Sequence, residues 1–272
     1  MKRPDDSPAR RGPPQKKWGQ NFLRNPSAVQ RIVEAVAAAP SELIVEIGPG
    51  EGALTGDLLA RYDNDLLAIE VDPRLAESLR MALPRADVVN ADALEVDLPQ
   101  RPFRAVGNLP YNVGTPIIRR LIASPFCRRG VFMLQKEVAD RLTAKAEDEE
   151  YGYLTLYVEL FASARILMTL EPGSFFPRPK VRSAVVVLDP RPAAVFSNQV
   201  RLLEVISAAF RMRRKTLANN LTALPAIDRQ RALAAIAAAG LDPNVRAEQM
   251  TLTDFDRLTT ALGRPEPGEN RT

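Results

Sequence analysis

Histidine is absent from this chain, and cysteine occurs once, at Cys127. Without histidine, Ser-His-Asp triads, Cys-His pairs and histidine-based metal sites are all excluded. A single cysteine allows no internal disulfide bond, which fits a reducing compartment, and it is too few for a structural zinc site. We therefore expect no bound metal. Any catalysis has to use carboxylates, amides, aromatic rings, backbone groups or a cofactor.

Long apolar runs are missing as well. No run reaches the roughly 18 residues that a membrane-spanning helix needs, and the first residues are too polar for a secretory signal. The 272 residues are 46% hydrophobic, which is enough for one large domain and a smaller one. We expect a cytoplasmic protein, with a monomer as the default oligomeric state.

The positive charge of the chain is modest in sum but clustered in sequence. The net charge is +4 and the isoelectric point is about 9.4. Basic clusters fit a phosphate backbone, although each cluster alone is also typical of a solvated face. The candidate nucleic-acid-binding cations are Lys16, Lys17, Arg178, Lys180, Arg211, Arg213, Arg214 and Lys215.

Apolar strand-like runs alternate with helical patterns through the first two thirds of the chain. Such alternation indicates a doubly wound α/β sheet, and fully apolar runs indicate strands covered on both faces. A first helix is expected over 27–39, with Ser27 as its N-cap. The predicted strands are 43–47, 66–70, 87–90, 104–107, 130–135 and 183–188, and the predicted intervening helices are 53–62, 73–82 and 116–123.

The pattern becomes purely helical after about residue 200. Helices are predicted over 200–209, 213–221, 228–239 and 253–262, with Gly240 as a C-cap signal and Thr253 as an N-cap signal. We therefore predict three regions. Residues 1–15 form a disordered basic tail, 16–192 an α/β domain, and 198–264 a small all-α domain.

A glycine-rich turn follows the first predicted sheet strand. Gly48, Gly50 and Ala53 satisfy the loose dinucleotide pattern, so a nicotinamide cofactor has to be considered. Glu70 ends the next strand, where an acid can hold the ribose hydroxyls of any adenosine cofactor. Two further acids favour S-adenosyl-L-methionine: Glu46, close to where a cationic methionine portion would lie, and Asp92, placed to accept a hydrogen bond from an adenine amine.

The tetrapeptide Asn108-Leu109-Pro110-Tyr111 closes the fourth predicted strand. The exocyclic amine of adenine is a poor nucleophile because its lone pair is delocalised into the ring. If the Asn108 amide oxygen and the Leu109 carbonyl accept its N–H groups, the lone pair is freed for attack. Pro110 stiffens the segment, and Tyr111 can stack on the base, an interaction worth about 1–3 kcal/mol. Such a base has to be unstacked or flipped out.

A second aromatic ring is expected on the other face of the base. The segment 173–181 carries two aromatic residues on a stiff, proline-rich stretch beside basic residues. We predict that Phe175 supplies this second ring and that Phe176 is a core residue.

Together these motifs resemble the ribosomal RNA adenine dimethyltransferases, in particular the bacterial small-subunit (16S) enzymes, over nearly the whole chain. The segment 17–23 resembles the N-terminal Gly-Gln-Asn-Phe-Leu signature of the family, although Asn25 stands where an Asp is common. The further motifs that match are 45–55, 108–111, 132–138, 151–152, 175–185 and 210–220.

The resemblance implies a Rossmann-like S-adenosyl-L-methionine-dependent methyltransferase domain with a small all-α C-terminal domain. It implies transfer of four methyl groups to N6 of two adjacent adenosines in the 3′-terminal hairpin of 16S rRNA, within an assembling small (30S) subunit. The resemblance also implies that six residues contact the methyl donor: Asn21, Leu23, Gly48, Glu70, Asp92 and Asn108.

Several alternatives share part of this pattern. A 23S rRNA methyltransferase of the macrolide-resistance type has the same catalytic motifs, but the match at 210–220 favours the small-subunit enzyme. An assembly or RNA-binding factor without essential catalysis could keep the fold, although Glu70, Asp92, Asn108 and Tyr111 are all intact. A DNA adenine methyltransferase would place Pro-Pro-Tyr after its Asp or Asn. A small-molecule methyltransferase would not need the basic clusters.

Overall fold

The computed structural model describes residues 20–110, 113–191, 196, 198–212 and 214–263. The chain forms two compact units. The first comprises Met1–Ala139 and Ser163–Pro190, and the second comprises Asp140–Ala162 and Arg191–Thr272. The tail predicted over 1–15 lies outside the described residues.

The first unit is built on a seven-stranded sheet with the strand order β4-β3-β2-β5-β6-β9-β7. The five strands from β4 to β6 are parallel, and β9 runs antiparallel to β6. The central strands are buried on both faces, as their uninterrupted apolar sequences predict. The strands are β2 (Leu43–Ile47), β3 (Leu66–Glu70), β4 (Asp87–Asn90), β5 (Phe103–Asn108), β6 (Cys127–Gln135), β7 (Ala162–Leu170) and β9 (Ser183–Pro190).

Helices connect the parallel strands of this sheet. The connecting helices are α2 (Thr55–Arg61), α3 (Pro73–Ala82) and α4 (Gly114–Ile122), and α1 (Pro26–Val36) precedes the sheet. The first helix begins one residue earlier than expected. Its N-cap is Asn25, whose side chain accepts a hydrogen bond from the Ala28 backbone N–H, and Pro26 occupies the first turn. The prediction of Ser27 as the N-cap was therefore wrong.

The strand order reverses direction between β2 and β5, which are sheet neighbours although β3 and β4 lie between them in sequence. In open α/β sheets, ligands bind beyond the carboxyl ends of the strands at this kind of switch point. A separate two-stranded ladder, β1 (Phe22–Leu23) with β8 (Phe175–Phe176), pairs Phe22 with Phe176 and Leu23 with Phe175.

The described part of the second unit is helical, as predicted for the C-terminal region. Its core includes Leu202, Ile236 and Phe255. The sequence-based boundary near 190–200 coincides with one of the boundaries between the units. The prediction placed residues 140–162 in the α/β domain, whereas they belong to the second unit, because Tyr151 and Leu156 pack in its core. The helices are α6 (Tyr153–Phe161), α7 (Gln199–Ala209), α8 (Leu217–Leu221), α9 (Arg229–Ala238) and α10 (Leu252–Leu262), and α5 (Lys136–Thr143) contributes its second half.

Two helix-capping expectations in this unit had different outcomes. Gly240 follows α9 with a φ of 71°, as a C-terminal glycine should. The N-cap of α10 is Thr251, not Thr253, because the Thr251 hydroxyl accepts a hydrogen bond from the Asp254 backbone N–H.

Within the described ranges, no helix is long and apolar enough to cross a membrane. Those same residues contain no cluster of three or more acidic or thiol side chains that could hold a metal ion.

Candidate active site

A pocket lies beyond the carboxyl ends of β2, β3 and β5, at the switch point of the sheet. The glycine loop after β2 forms one wall, and β1 with the residues before it forms another. The described lining residues are Gln20, Asn21, Phe22, Leu23, Glu46, Gly48, Pro49, Gly50, Glu51, Ala53, Leu54, Glu70, Val71, Leu75, Asn108, Leu109 and Pro110.

The glycine loop allows close approach of other groups to its backbone. Gly48 and Gly50 have φ values of 63° and 60°, in the left-handed region that favours glycine. A Cβ atom at Gly50 would lie 3.0 Å from the Phe22 ring. The ring therefore packs directly on the loop, and the β1 segment covers it only because residue 50 has no side chain.

Glu70 is held rigidly at the end of β3. Its two carboxylate oxygens accept hydrogen bonds from the backbone N–H groups of Gly50 (3.0 Å) and Asp72 (2.9 Å). Burial raises the pKa of Glu70 above its usual range, and these hydrogen bonds partly oppose the shift. Each oxygen has a second lone pair, so the carboxylate can also accept hydrogen bonds from a ligand.

Glu46 is the most deeply buried acid of the pocket, with 1% of its surface exposed. Burial raises its pKa to about 8, and the negative charge of Glu70 adds to the shift, whereas the polar contact with Thr55 opposes it. Among the described residues, Glu46 Oε2 has no hydrogen-bond partner. A buried acceptor without a partner costs about 1–3 kcal/mol, so the site is suited to a ligand that brings a donor or a cation.

The charges of the pocket discriminate between the two cofactors that the sequence allows. Glu46, Glu51 and Glu70 line it, and no lysine or arginine does so within the described part of the chain. An anionic pyrophosphate would be repelled by the Glu51 and Glu70 carboxylates and would bring no donor for the buried Glu46 Oε2. S-adenosyl-L-methionine fits better, because it carries a sulfonium and an ammonium group for the buried acids and ribose hydroxyls for Glu70.

Asn108 ends β5 at the opposite wall of the pocket. Its Nδ2 donates a hydrogen bond to the backbone carbonyl of Asn21, at 2.6 Å. A carbonyl can only accept, so the amide orientation is fixed and Oδ1 becomes the atom available for another donor. An acceptor of known orientation therefore lies at the edge of the sheet where ligands bind.

Leu109 and Pro110 form the turn that follows Asn108. The Leu109 backbone N–H donates to the Met133 carbonyl (3.1 Å), and the Pro110 carbonyl accepts from Gly114 (2.9 Å) as α4 begins. The turn is thus tied to β6 on one side and to a helix on the other. Tyr111 lies outside the described residues, so its predicted stacking role stays a prediction.

Residues 14–262 match the family described as ribosomal RNA adenine dimethylase. The chain belongs to this family. It is therefore an enzyme, a methyltransferase of rRNA adenine that uses S-adenosyl-L-methionine, and the acidic pocket described above suits that cofactor. The fold class expected from the sequence, a Rossmann-like methyltransferase domain followed by helices, is confirmed.

Individual relatives resemble the chain over most of its length. Ribosomal RNA small subunit methyltransferase A of Methylococcus capsulatus is 42% identical over 258 residues, covering 92% of this chain and 98% of the relative. A solved dimethyladenosine transferase from Plasmodium falciparum is 25% identical, with a TM-score of 0.78 and coverage of 87% of this chain and 95% of that one. The solved 23S rRNA methyltransferase ErmE is 29% identical, with a TM-score of 0.70 and coverage of 90% and 100%.

The two phenylalanines of β8 have exposures opposite to those predicted from the sequence of this dimethylase. Phe176 is 58% exposed, so the prediction that it is a core residue was wrong. Phe175 is 3% exposed and packs in the core of the first unit, because it pairs with Leu23 on the inner face of the β1-β8 ladder. A stacking role for Phe175 therefore requires that the contacts covering its ring be displaced.

Asp92 is the one predicted cofactor residue that does not line the pocket. It is exposed, and its Oδ1 accepts a hydrogen bond from the Leu94 backbone N–H (2.8 Å), which caps the turn after β4. The other predicted cofactor residues, namely Asn21, Leu23, Glu46, Gly48, Gly50, Glu70 and Asn108, all line it. Their contacts with the cofactor stay predictions.

The predicted RNA-binding cations divide between the two units. Arg178 and Lys180 are exposed in the first unit, and Arg211, Arg214 and Lys215 are exposed in the second. The remaining three, Lys16, Lys17 and Arg213, lie outside the described residues. A side chain has to be exposed to bind a phosphate backbone, and the RNA-binding role of these exposed cations stays a prediction.

Sequence reasoning missed the network that supports Glu70. Asp72 is 1% exposed, and it accepts hydrogen bonds from the Gln20 side chain (3.0 Å) and from Arg74 while its own N–H donates to Glu70. Its only signal in the sequence is an Asp-Pro pair at the start of a helix, which indicates an N-cap and nothing more.

Proposed function

We propose that this enzyme dimethylates N6 of two adjacent adenosines in the 3′-terminal hairpin of 16S rRNA. The observation that carries the proposal is the Asn108 amide, whose Nδ2 is occupied by the Asn21 carbonyl and whose Oδ1 is left to accept from a substrate. The relatives named as small-subunit methyltransferases support 16S rRNA over 23S rRNA.

Asn108 and Leu109 act on the acceptor amine. When Asn108 Oδ1 accepts one N–H of the adenine amine and the Leu109 carbonyl accepts the other, the nitrogen is drawn toward tetrahedral geometry. Its lone pair is then localised and can act as a nucleophile. When bound, S-adenosyl-L-methionine supplies an electrophilic sulfonium methyl group. No residue has to act as a strong base first, which suits a chain without histidine.

Positioning and exclusion of water account for most of the catalysis that the residues provide. The β1 segment covers the glycine loop through Phe22, and Arg24 pairs with Glu51 at 2.5 Å on the outer side of the same loop. The target base enters the pocket unstacked, with Tyr111 against one face and Phe175 against the other once the contacts that cover the Phe175 ring are displaced.

The cellular setting follows from the substrate. We propose that the partner is 16S rRNA in the assembling small ribosomal subunit, that the enzyme takes part in small-subunit biogenesis as a monomer, and that it works in the cytoplasm. The exposed Arg211, Arg214 and Lys215 would contact the rRNA backbone.

Mass spectrometry of rRNA after incubation with the protein and S-adenosyl-L-methionine tests the proposal. Unmethylated small subunits and large-subunit rRNA are treated in parallel. We expect two adjacent N6,N6-dimethyladenosines in the 16S terminal hairpin and no methylation of 23S rRNA. Methylation of 23S rRNA alone would assign the enzyme to the resistance type. Tight binding to small subunits without methyl transfer would favour an assembly factor.

A further inference from the structure

A second cleft opens at the same edge of the sheet, outside the cofactor pocket. It measures about 420 Å³ and lies where β6 ends, α5 begins and β9 starts. It is lined by Gln135, Lys136, Glu137, Glu171, Pro172, Lys180, Val181 and Arg182. None of these residues has a part in holding the cofactor or the target amine.

The cleft is close to the acceptor site. Met133 on β6 is the sheet partner of Asn108, and Gln135 lies two residues further along the same strand. With about 3.3 Å per residue and about 4.8 Å between strands, the cleft begins about 8 Å from the Asn108 backbone. One nucleotide step of an unstacked strand covers such a distance.

Three cations line the cleft, namely Lys136, Lys180 and Arg182. The Lys136 backbone N–H donates to the Arg182 carbonyl at 2.9 Å, which joins the start of α5 to the residue before β9. Lys180 and Arg182 are exposed, and neither forms an ion pair with any residue in the described part of the chain. Cations without an acidic partner can bind a phosphate without first breaking an ion pair.

The acids and the apolar residues of the cleft narrow the choice of occupant. Glu137 and Glu171 would repel a free phosphate, but a carboxylate accepts hydrogen bonds from the exocyclic amines of bases. Val181, which is 45% exposed, and Pro172 offer an apolar surface to a base. Cations for a phosphate, acceptors for a base edge and an apolar wall together suit one nucleotide of an RNA strand.

We propose that this cleft binds the nucleotide next to the target adenosine, with its phosphate at Lys180 and Arg182. The inference rests on the proposed function and deepens it, because it names where the strand leaves the acceptor site. Lys180 was expected to contact RNA from its charge alone, whereas the cleft assigns it a particular nucleotide and adds Lys136, Arg182 and Gln135.

Site-directed crosslinking can test the position of the strand. The native Cys127 is 2% exposed, and burial raises its pKa to about 12, so it will not react with a thiol reagent. Val181→Cys therefore gives a single reactive thiol in the cleft. Met81→Cys, at a position 73% exposed in the last turn of α3, is the matched control away from this edge.

Both cysteine variants are labelled with a photoactivatable aryl azide, bound to unmethylated small subunits, irradiated and mapped by primer extension. We expect crosslinks from Val181→Cys within two nucleotides of the adenosines that the wild type methylates, and none there from Met81→Cys. If the wild type methylates those subunits but the Val181→Cys crosslinks map elsewhere, the cleft proposal fails and the proposed function stands. If the wild type transfers no methyl groups, both fail.

Removal of the positive charges of the cleft tests the phosphate contact independently. Lys180→Gln with Arg182→Gln is compared with Arg101→Gln and Arg128→Gln, two exposed cations at the amino edge of the same sheet. For one phosphate neutralised on a single strand, the slope of log K against log salt should fall by about 0.7 in the cleft variant only. KM for the subunits should rise while the affinity for S-adenosyl-L-methionine stays unchanged. Equal slopes in the two double variants would overturn the proposal.

Discussion

At the scale of single residues, Glu46 governs how stability should depend on pH. Its pKa of about 8 in the folded protein compares with 4.5 for a free glutamate. Between these values the folded state holds a proton that the unfolded state has released, so the free energy of unfolding should fall as pH rises. The slope is at most about 1.4 kcal/mol per pH unit. The stabilising contribution of Glu46 to the free energy of unfolding is fully present below pH 4.5, and it is lost as pH rises through 8.

Glu46→Gln should remove most of that slope, because the amide keeps the shape of the side chain but does not titrate. Urea unfolding of both proteins from pH 5 to pH 8 measures it. The pKa of Glu70 is also raised by burial, so a smaller residual slope should persist in the variant. Parallel pH profiles for the two proteins would show that Glu46 is already ionised in the fold.

The residue types of the pocket could be predicted from the sequence better than their contacts. An acid before a glycine turn and an acid at the end of the next strand are local patterns, and both Glu46 and Glu70 line the pocket. The hydrogen bond between Gln20 and Asp72 joins residues 52 positions apart, and no local pattern records it. The exposures of Phe175 and Phe176 were misjudged because they depend on pairing with β1, a strand of two residues.

At the scale of elements, the turn between α7 and α8 depends on one buried amide. Asn220 is 4% exposed, and its Nδ2 donates to the Ala209 carbonyl (2.7 Å) and the Met212 carbonyl (3.1 Å). These bonds close the C-terminal end of α7 and shape the turn that carries the basic residues. Asn220→Ala should therefore lower the free energy of unfolding by about 1–3 kcal/mol.

Asn219→Ala is the matched control for this prediction, since the neighbouring amide is exposed and lies on the same helix. Chemical unfolding of both variants measures the difference. A decrease of less than about 0.5 kcal/mol in the control is the ordinary effect of a surface substitution. Similar decreases in both variants would mean that the turn does not depend on Asn220.

Elements were predictable where local sequence alone determines them. β2, β3 and β4 have the bounds expected from the sequence, and β2 and β3 are clear because a central strand of a parallel sheet is buried on both faces. β7 was missed because it lies at the edge of the sheet, where half-buried and exposed residues interrupt the apolar pattern. The strands β1 and β8 have two residues each, too few for any periodicity.

At the scale of the whole molecule, the division into units could be predicted only in part. The composition change near residue 190 marks one boundary, but the transfer of residues 140–162 to the second unit depends on distant contacts. The Tyr151 hydroxyl, for example, donates to the Met250 carbonyl at 2.7 Å across 99 positions of sequence. A sequence pattern shows that a helix is amphipathic but not which core it joins.

Charge at this scale leads to the last prediction. Replacing Arg211, Arg214 and Lys215 by glutamine lowers the net charge by three, from +4 to +1. Replacing Arg229, Arg231 and Arg246, which are also exposed in the second unit, lowers it by the same amount. Any effect of overall charge on RNA association is therefore equal in the two triple variants. Only direct contacts with phosphates can distinguish them.

We expect the Arg211, Arg214 and Lys215 variant to bind unmethylated small subunits more weakly at low salt. The slope of log K against log salt should decrease by about 1 for each phosphate that the variant no longer neutralises. The affinity for S-adenosyl-L-methionine, measured by calorimetry, should not change, because the cofactor pocket lies wholly in the first unit. If the two triple variants show the same slope, the turn between α7 and α8 does not contact the rRNA backbone, and the binding surface has to be sought among the cations of the first unit.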